Sequence, residues 1–143
     1  MNGGKYILKW QEELFRDNSN SDHGNKLRTW YRLFKSNFCF EKYLECGDYR
    51  KRKIITRFRL SAHDFEIEKC RYIGLKAHQK ICKLCSSEVE DEIHYLLKCS
   101  ALDTTRSSCI ENIKSYNKNF ESLSDKDKLI WILSSEDNII LDN

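Results

Sequence analysis

Residues 81–99 read ICKLCSSEVEDEIHYLLKC and set Cys82, Cys85, His94 and Cys99 in the pattern C-x2-C-x8-H-x4-C. Few features constrain a chain more, because four ligands on one ion fix a loop that no hydrophobic core needs to hold. Zinc takes four ligands in a tetrahedron and favours thiolate and imidazole. Cys82-x2-Cys85 puts two sulfurs across a tight turn, and His94-x4-Cys99 offers a second pair from the opening of a helix. The eight residues between the pairs form a polar loop long enough to return to the metal. The competing reading is two buried thiols beside an ordinary histidine, since free cysteine is often buried. Redox chemistry at C-x-x-C needs a thioredoxin-like βαβ setting, which is missing here and leaves His94 and Cys99 unexplained. A catalytic zinc needs an open coordination position, and four good ligands leave none. The pattern predicts a structural zinc ion on Cys82, Cys85, His94 and Cys99, with Glu90, Asp91 and Glu92 in a solvated acidic loop.

The chain has 143 residues, seven cysteines and no proline. It reads as a single domain over 1–143: an N-terminal helix and loop (1–25), a basic helical region (26–80), the CCHC zinc knuckle (81–99) and C-terminal helices (100–143). The start, MNGGKYILKW, lacks the apolar stretch of a secretory signal, and the longest apolar run, Leu129 to Leu133, is far short of a membrane span. An intracellular, reduced setting in cytoplasm or nucleus is expected, with no membrane partner. The cysteines outside the pattern, Cys39, Cys46, Cys70 and Cys109, are expected mostly in the core. His63 reads as a packing or capping residue, and His23 and His78 have no obvious partners.

Periodicity predicts a mainly α fold: a small helical domain with one structural zinc knuckle, built as a short turn or hairpin plus a helix. Residues 5–15 space Ile7, Leu8, Trp10, Leu14 and Phe15 at helical intervals. Residues 16–25 are a loop by composition. The stretch KLRTWYRLFKSNF fits either a helix or a strand. A short helix then stops at Gly47, residues 94–113 read as one helix, and SDKDKLIWILSS reads as another with Ser124 as N-cap.

The formal charge of +3 conceals an asymmetry: residues 26–80 hold fifteen Lys or Arg against six Asp or Glu, a net +9. Charge gathered this way favours a polyanion partner. On residues 49–60, YRKRKIITRFRL, a helical wheel places Ile54, Ile55, Phe58 and Ala62 in one core-facing arc. Arg50, Lys53 and Arg57 fall on one flank, and Arg52 and Arg59 on the other. Arg50, Lys51, Arg52, Lys53, Arg57, Arg59 and Arg71 are the candidate contacts to RNA or DNA phosphates, extended by Lys76. Trp30, Tyr49 and Tyr72 either stack on unpaired bases or fill the core.

The cysteine–histidine pattern resembles a retroviral-type zinc knuckle with a longer middle loop. Together, KLRTWYRLFKSNFCFEKYL, RKRKIITRFRLSAHDFEIEKCRYIGL and ICKLCSSEVEDEIHYLLKC resemble the C-terminal region of LINE-type (non-LTR) retrotransposon polyproteins, over roughly residues 26–110. Cys70 departs from it, standing where glycine is expected. In that family the segment follows the reverse transcriptase domain and ends in a zinc-binding region. The paired aspartates that a polymerase needs occur nowhere in this chain, and no endonuclease core is recognisable. The resemblance therefore implies a reverse transcriptase-associated nucleic-acid-handling module, with no small-molecule substrate, no enzyme activity of its own, and a parent reverse transcriptase protein as a further partner. The alternative is a structural or protein-interaction zinc module with no nucleic-acid role.

Overall fold

The computed structural model describes residues 3–15, 30–45, 48–70 and 73–134, and helices dominate them. The helices are α1 (Gly3–Phe15), α2 (Tyr49–Arg59), α3 (Glu66–Lys69), α4 (Asp103–Tyr116) and α5 (Asp125–Ser134). Short 3-10 turns lie at Lys42–Glu45, Ala77–Gln79, Ser100–Leu102 and Phe120–Ser122, and a wide π turn at His94–Lys98. Among the described residues no strand forms; one isolated antiparallel bridge joins Ile81 to Val89. The mainly α expectation holds. No described helix is long and apolar enough to cross a membrane. The expectations for the 16–25 loop, His23, Cys46, Gly47, Arg71, Tyr72 and residues 135–143 lie outside the described residues.

The described part of the segment that fitted either helix or strand, residues 30–38, takes a helical turn: Leu33, Phe34 and Lys35 N–H groups donate to the Trp30 and Tyr31 carbonyls, and residues 26–29 lie outside the described residues. It receives α1, whose Leu14 is buried, whose Trp10 meets Phe38 edge-on, and whose Leu14 carbonyl accepts from Arg32 Nε. At the other end, α5 packs on both α2 and the His94–Lys98 turn. Its Leu129 and Leu133 are buried, and Trp131 meets the fully buried Phe120 edge-on at 5.4 Å. Ser124 caps α5 as expected, its Oγ accepting from Asp127 N.

The basic helix α2 starts at Asp48, whose carboxylate accepts from Arg50 N, and that cap satisfies one orphan N–H of the first turn. It ends in a Schellman closure. Ala62 N donates to Arg57 O and Ser61 N to Phe58 O, with Ser61 left-handed at φ 48°. Between these ends the helix is rotated from the expected orientation. Ile54 is 56% exposed and Ala62 is exposed, whereas Arg59 is only 4% exposed. The physical reason is a polar anchor that the wheel does not see. Arg59 Nη2 lies 3.0 Å from Glu41 Oε2 and donates to Phe34 O, with its guanidinium over the Tyr43 and Phe34 rings. Lys35 Nζ reaches the other Glu41 oxygen at 2.6 Å. Burying this triad turns Arg59 inward and Ile54 outward.

Three other expectations are corrected. Cys39 and Cys109 are exposed; of the thiols outside the pattern that are described, only Cys70 is buried, donating to Glu66 Oε2. Residues 94–113 are not one helix, because Cys99 leaves the helical region (ψ 117°) before α4 begins. The acidic loop is not solvated throughout: Glu90 and Glu92 are buried, each held by hydrogen bonds.

Candidate metal centre

A hairpin and a turn build the centre. Lys80 O accepts from Glu90 N and Glu88 O accepts from Cys82 N, so residues 80–90 double back around the Ile81–Val89 bridge. At the tip, Ser86 N donates to Cys82 O and Ser86 takes φ 57°, which brings Cys85 onto the same side as Cys82. The hairpin rests on α3: Ile67 N donates to Glu90 O, Glu66 N to Glu90 Oε2, and Lys80 Nζ to Ile67 O. Asp91 then caps the next turn, its carboxylate accepting from His94 N and its carbonyl from Tyr95 N. That turn winds wide, so Cys99 N donates to His94 O at 2.7 Å, and the Cys99 sulfur comes within 4.8 Å of a His94 ring nitrogen.

Cys82, Cys85, His94 and Cys99 consequently converge, with their four ligand atoms all within 4.8 Å of one another. Cys82 Sγ lies 3.9 Å from Cys99 Sγ, and Cys85 Sγ lies 3.3 Å from His94 Nε2. A tetrahedral ion with sulfur at about 2.3 Å and nitrogen at about 2.0 Å sets such atoms roughly 3.5–3.8 Å apart. The cluster is close to that spacing. Cys82, Cys99 and His94 are buried and Cys85 is half-buried. The His94 ring is oriented from behind, its Nδ1 lying 3.2 Å from Glu88 Oε2, which leaves Nε2 facing the sulfurs. A carboxylate on the far nitrogen is the usual support of a metal-bound imidazole.

The sulfurs differ in their surroundings. The Ser87 hydroxyl, 3.0 Å from Cys85 Sγ, and the Ser87 N–H hold the Cys85 thiol down to about 6, against the opposing effect of burial. A thiolate at neutral pH is the form a metal needs. Burial pushes the Cys99 thiol up. Three thiolates packed this tightly repel one another, and a divalent cation among them offsets that repulsion. The donor set, its spacing and the Glu88 support therefore fit a metal ion.

The same region is fastened to the end of α2. Ser61 Oγ lies 2.8 Å from Glu92 Oε1 and 3.1 Å from Glu68 Oε1, and its one proton serves either carboxylate. His63 Nε2 lies 2.8 Å from Glu92 Oε1, so His63 is the packing residue the sequence indicated. Burial raises the Glu92 carboxyl, but His63, the Glu92 backbone N–H and Ser61 together more than offset it and the net shift is downward. An aromatic stack of Phe58, Phe65 and Tyr95 runs alongside, with centroids 5.4 and 4.3 Å apart. Composition offers no signal for this junction, although His63 and Glu92 both lie inside the motifs quoted above.

The candidate phosphate contacts fall into two groups. Arg50 and Lys53 are exposed and Lys51 is half-buried, and none of the three has an ion pair among the described residues. Arg57 is tied up, its Nε donating to Ala62 O and its Nη2 lying 2.8 Å from Asp64 Oδ2. Arg59 is the buried strut to Glu41, and Arg52 is half-buried and partnered. Lys76 is exposed. Of the aromatics, Trp30 is half-buried with Nε1 donating to Phe58 O, while Tyr49 is exposed.

Fold and site together define a mainly helical chain organised around a Cys3His group able to hold a metal. Comparison with protein-family models, curated proteins and solved structures finds no match to any of them.

Proposed function

We propose that Cys82, Cys85, His94 and Cys99 hold one structural zinc ion, and that the chain is a nucleic-acid-binding module of the kind found at the C-terminus of LINE-type reverse transcriptase proteins. Three thiolates and an imidazole are a set that selects zinc over the hard cations. With four protein ligands the ion has no open position, so its work is to fix the hairpin and turn. The observation that carries the binding function is the first two turns of α2. There Arg50, Lys51 and Lys53 have no ion pair among the described residues, while the other end of the helix is anchored to the metal region through Ser61, His63 and Glu92. Cations held on a fixed helix suit a phosphate backbone, whose condensed counterions they release on binding.

Metal analysis of the purified chain, followed by binding curves to nucleic acid over a range of salt, tests both parts. One zinc per chain is expected, with affinity falling steeply as salt rises. Replacing Arg50, Lys51 and Lys53 together with alanine should leave the metal content intact. It should flatten the log–log slope by up to roughly 0.7–0.9 per lost contact. Affinity should fall on all sequences alike, because phosphate contacts position without reading bases. An unchanged slope moves first place to the protein-interaction reading. That reading has its own support in the exposed apolar side chains of Tyr6, Leu8 and Phe15 on α1, and of Phe38 and Phe40.

A further inference from the structure

The exposed strip of α2 is not purely cationic. At 100° per residue its solvent-facing arc spans about 140° and runs, in angular order, Tyr49, Lys53, Arg57, Arg50, Ile54. Tyr49 is 65% and Ile54 56% exposed, so Lys53 and Arg50, which have no ion pair among the described residues, lie between an aromatic ring on one border and a branched aliphatic on the other. Arg57, in the middle, is neutralised by Asp64. The opposite side of the helix, with Ile55, Thr56 and Arg59, is half-buried or buried.

We infer that the ligand of this strip is an unpaired nucleic-acid strand; the inference rests on the nucleic-acid reading above. What selects it over a duplex is the apolar pair. Against a wall of phosphates, Tyr49 and Ile54 gain nothing from being on the contact face. Against a single strand, whose bases turn outward, Tyr49 offers a stacking surface and Ile54 an apolar one, while Lys53 and Arg50 take the phosphates between them. Stacking of a base on an aromatic ring is tolerant of sequence, because every base has a π face.

The test is fluorescence anisotropy of the metal-loaded full chain, with a labelled mixed-sequence DNA strand and with the same strand annealed to its complement. The single strand should bind more tightly. Tyr49→Ala should weaken single-strand binding about tenfold, in line with measured base–aromatic stacking. Duplex binding and the salt slope should stay where they were, since no cation is removed. Tyr49→Phe should restore the loss, and Ile54→Ser should give a smaller drop of the same kind. Metal content of each variant confirms that the fold is kept. Duplex binding as tight as single-strand binding, or an indifferent Tyr49→Ala, overturns this inference and leaves the phosphate-binding module standing. Failure of the metal-loaded wild-type chain to bind either probe overturns the module itself.

Discussion

The metal region and helix α2 adjoin each other, yet the side chains of the Cys3His group and the cations of the helix are oriented in different ways. Around the metal centre the partners are near neighbours: Ser87 serves Cys85, Glu88 serves His94, and Asp91 caps the turn that carries His94. On α2 the cations have two kinds of partner, one from another part of the chain and one just past the helix end. Glu41 draws Arg59 into the interior, and Asp64, beyond the helix end, occupies Arg57. A helix rich in like charges is therefore not one surface. Its cations split into a buried strut, a paired rim and an N-terminal strip that has no ion pair among the described residues.

Removing the metal should make the sharpest break between the two regions. Cys99→Ser, or a strong chelator, should unfold at least residues 78–105, because the binding energy of small zinc modules, about 10–16 kcal/mol, is also folding energy. Amide exchange should show protection lost first over the hairpin and the His94–Lys98 turn. Protection of the α1–Trp10–Phe38 contact should persist longer. Uniform loss throughout the chain would mean that the metal supports both ends equally.

Next in size is the strut. Glu41→Ala leaves Lys35 and Arg59 without their shared carboxylate, and stranding buried charge of this kind costs about 3–5 kcal/mol. Urea unfolding reads the loss. On the proposed function, the same variant should leave the salt dependence of nucleic-acid binding unchanged, as Arg59 is buried away from the proposed binding strip. A flattened slope would return Arg59 to the surface and merge the groups of cations distinguished above.

These two regions also show what a sequence discloses. The convergence of Cys82, Cys85, His94 and Cys99 was legible because their spacing is a local property, set by turns of two to eight residues. The existence of α2 was legible from its period as well. Its rotation was not, since Ile54 and Arg59 are placed by Glu41, a residue from another part of the chain, and hydrophobicity alone assigns Ile54 to the core. The single helix expected over 94–113 failed for the opposite reason. Helix propensity favoured continuation, and the need to turn Cys99 onto the cluster overrode it. Glu90 and Glu92 were read as solvated because their charge is visible and their partners, Glu66 N, Ser61 and His63, are not.

The smallest expected effect separates the paired rim from the N-terminal strip. The Arg57 hydrogen bond and charge hold the Asp64 carboxyl below the ordinary carboxylate range. A carboxyl lowered by folding adds stability that is fully present above its unfolded pKa and is lost as pH falls through the folded value. Carboxyl titration by NMR should accordingly find Asp64 low in the wild type and ordinary in Arg57→Ala. Asp64→Asn should release Arg57 toward the ligand and steepen the salt slope by at most roughly 0.7–0.9. No steepening would show that the hydrogen bond from Arg57 to Ala62 is enough to keep it at the rim.

The wide turn at His94–Lys98 carries one more consequence, for which lengths of chain can be inherited. In an ordinary α-helix a residue five positions on lies about 140° around the axis, whereas this turn brings Cys99 close to His94 through the bond from Cys99 N to His94 O. Deleting one residue from 95–98 would rewind the turn to the common form, and inserting one would swing Cys99 roughly 100° away from the cluster. Either change would also rotate everything that follows, beginning with α4. Side chains within the turn can thus vary, even Lys98 if its 2.8 Å ion pair with Asp125 is given up, but the number of residues between His94 and Cys99 is a fixed gauge.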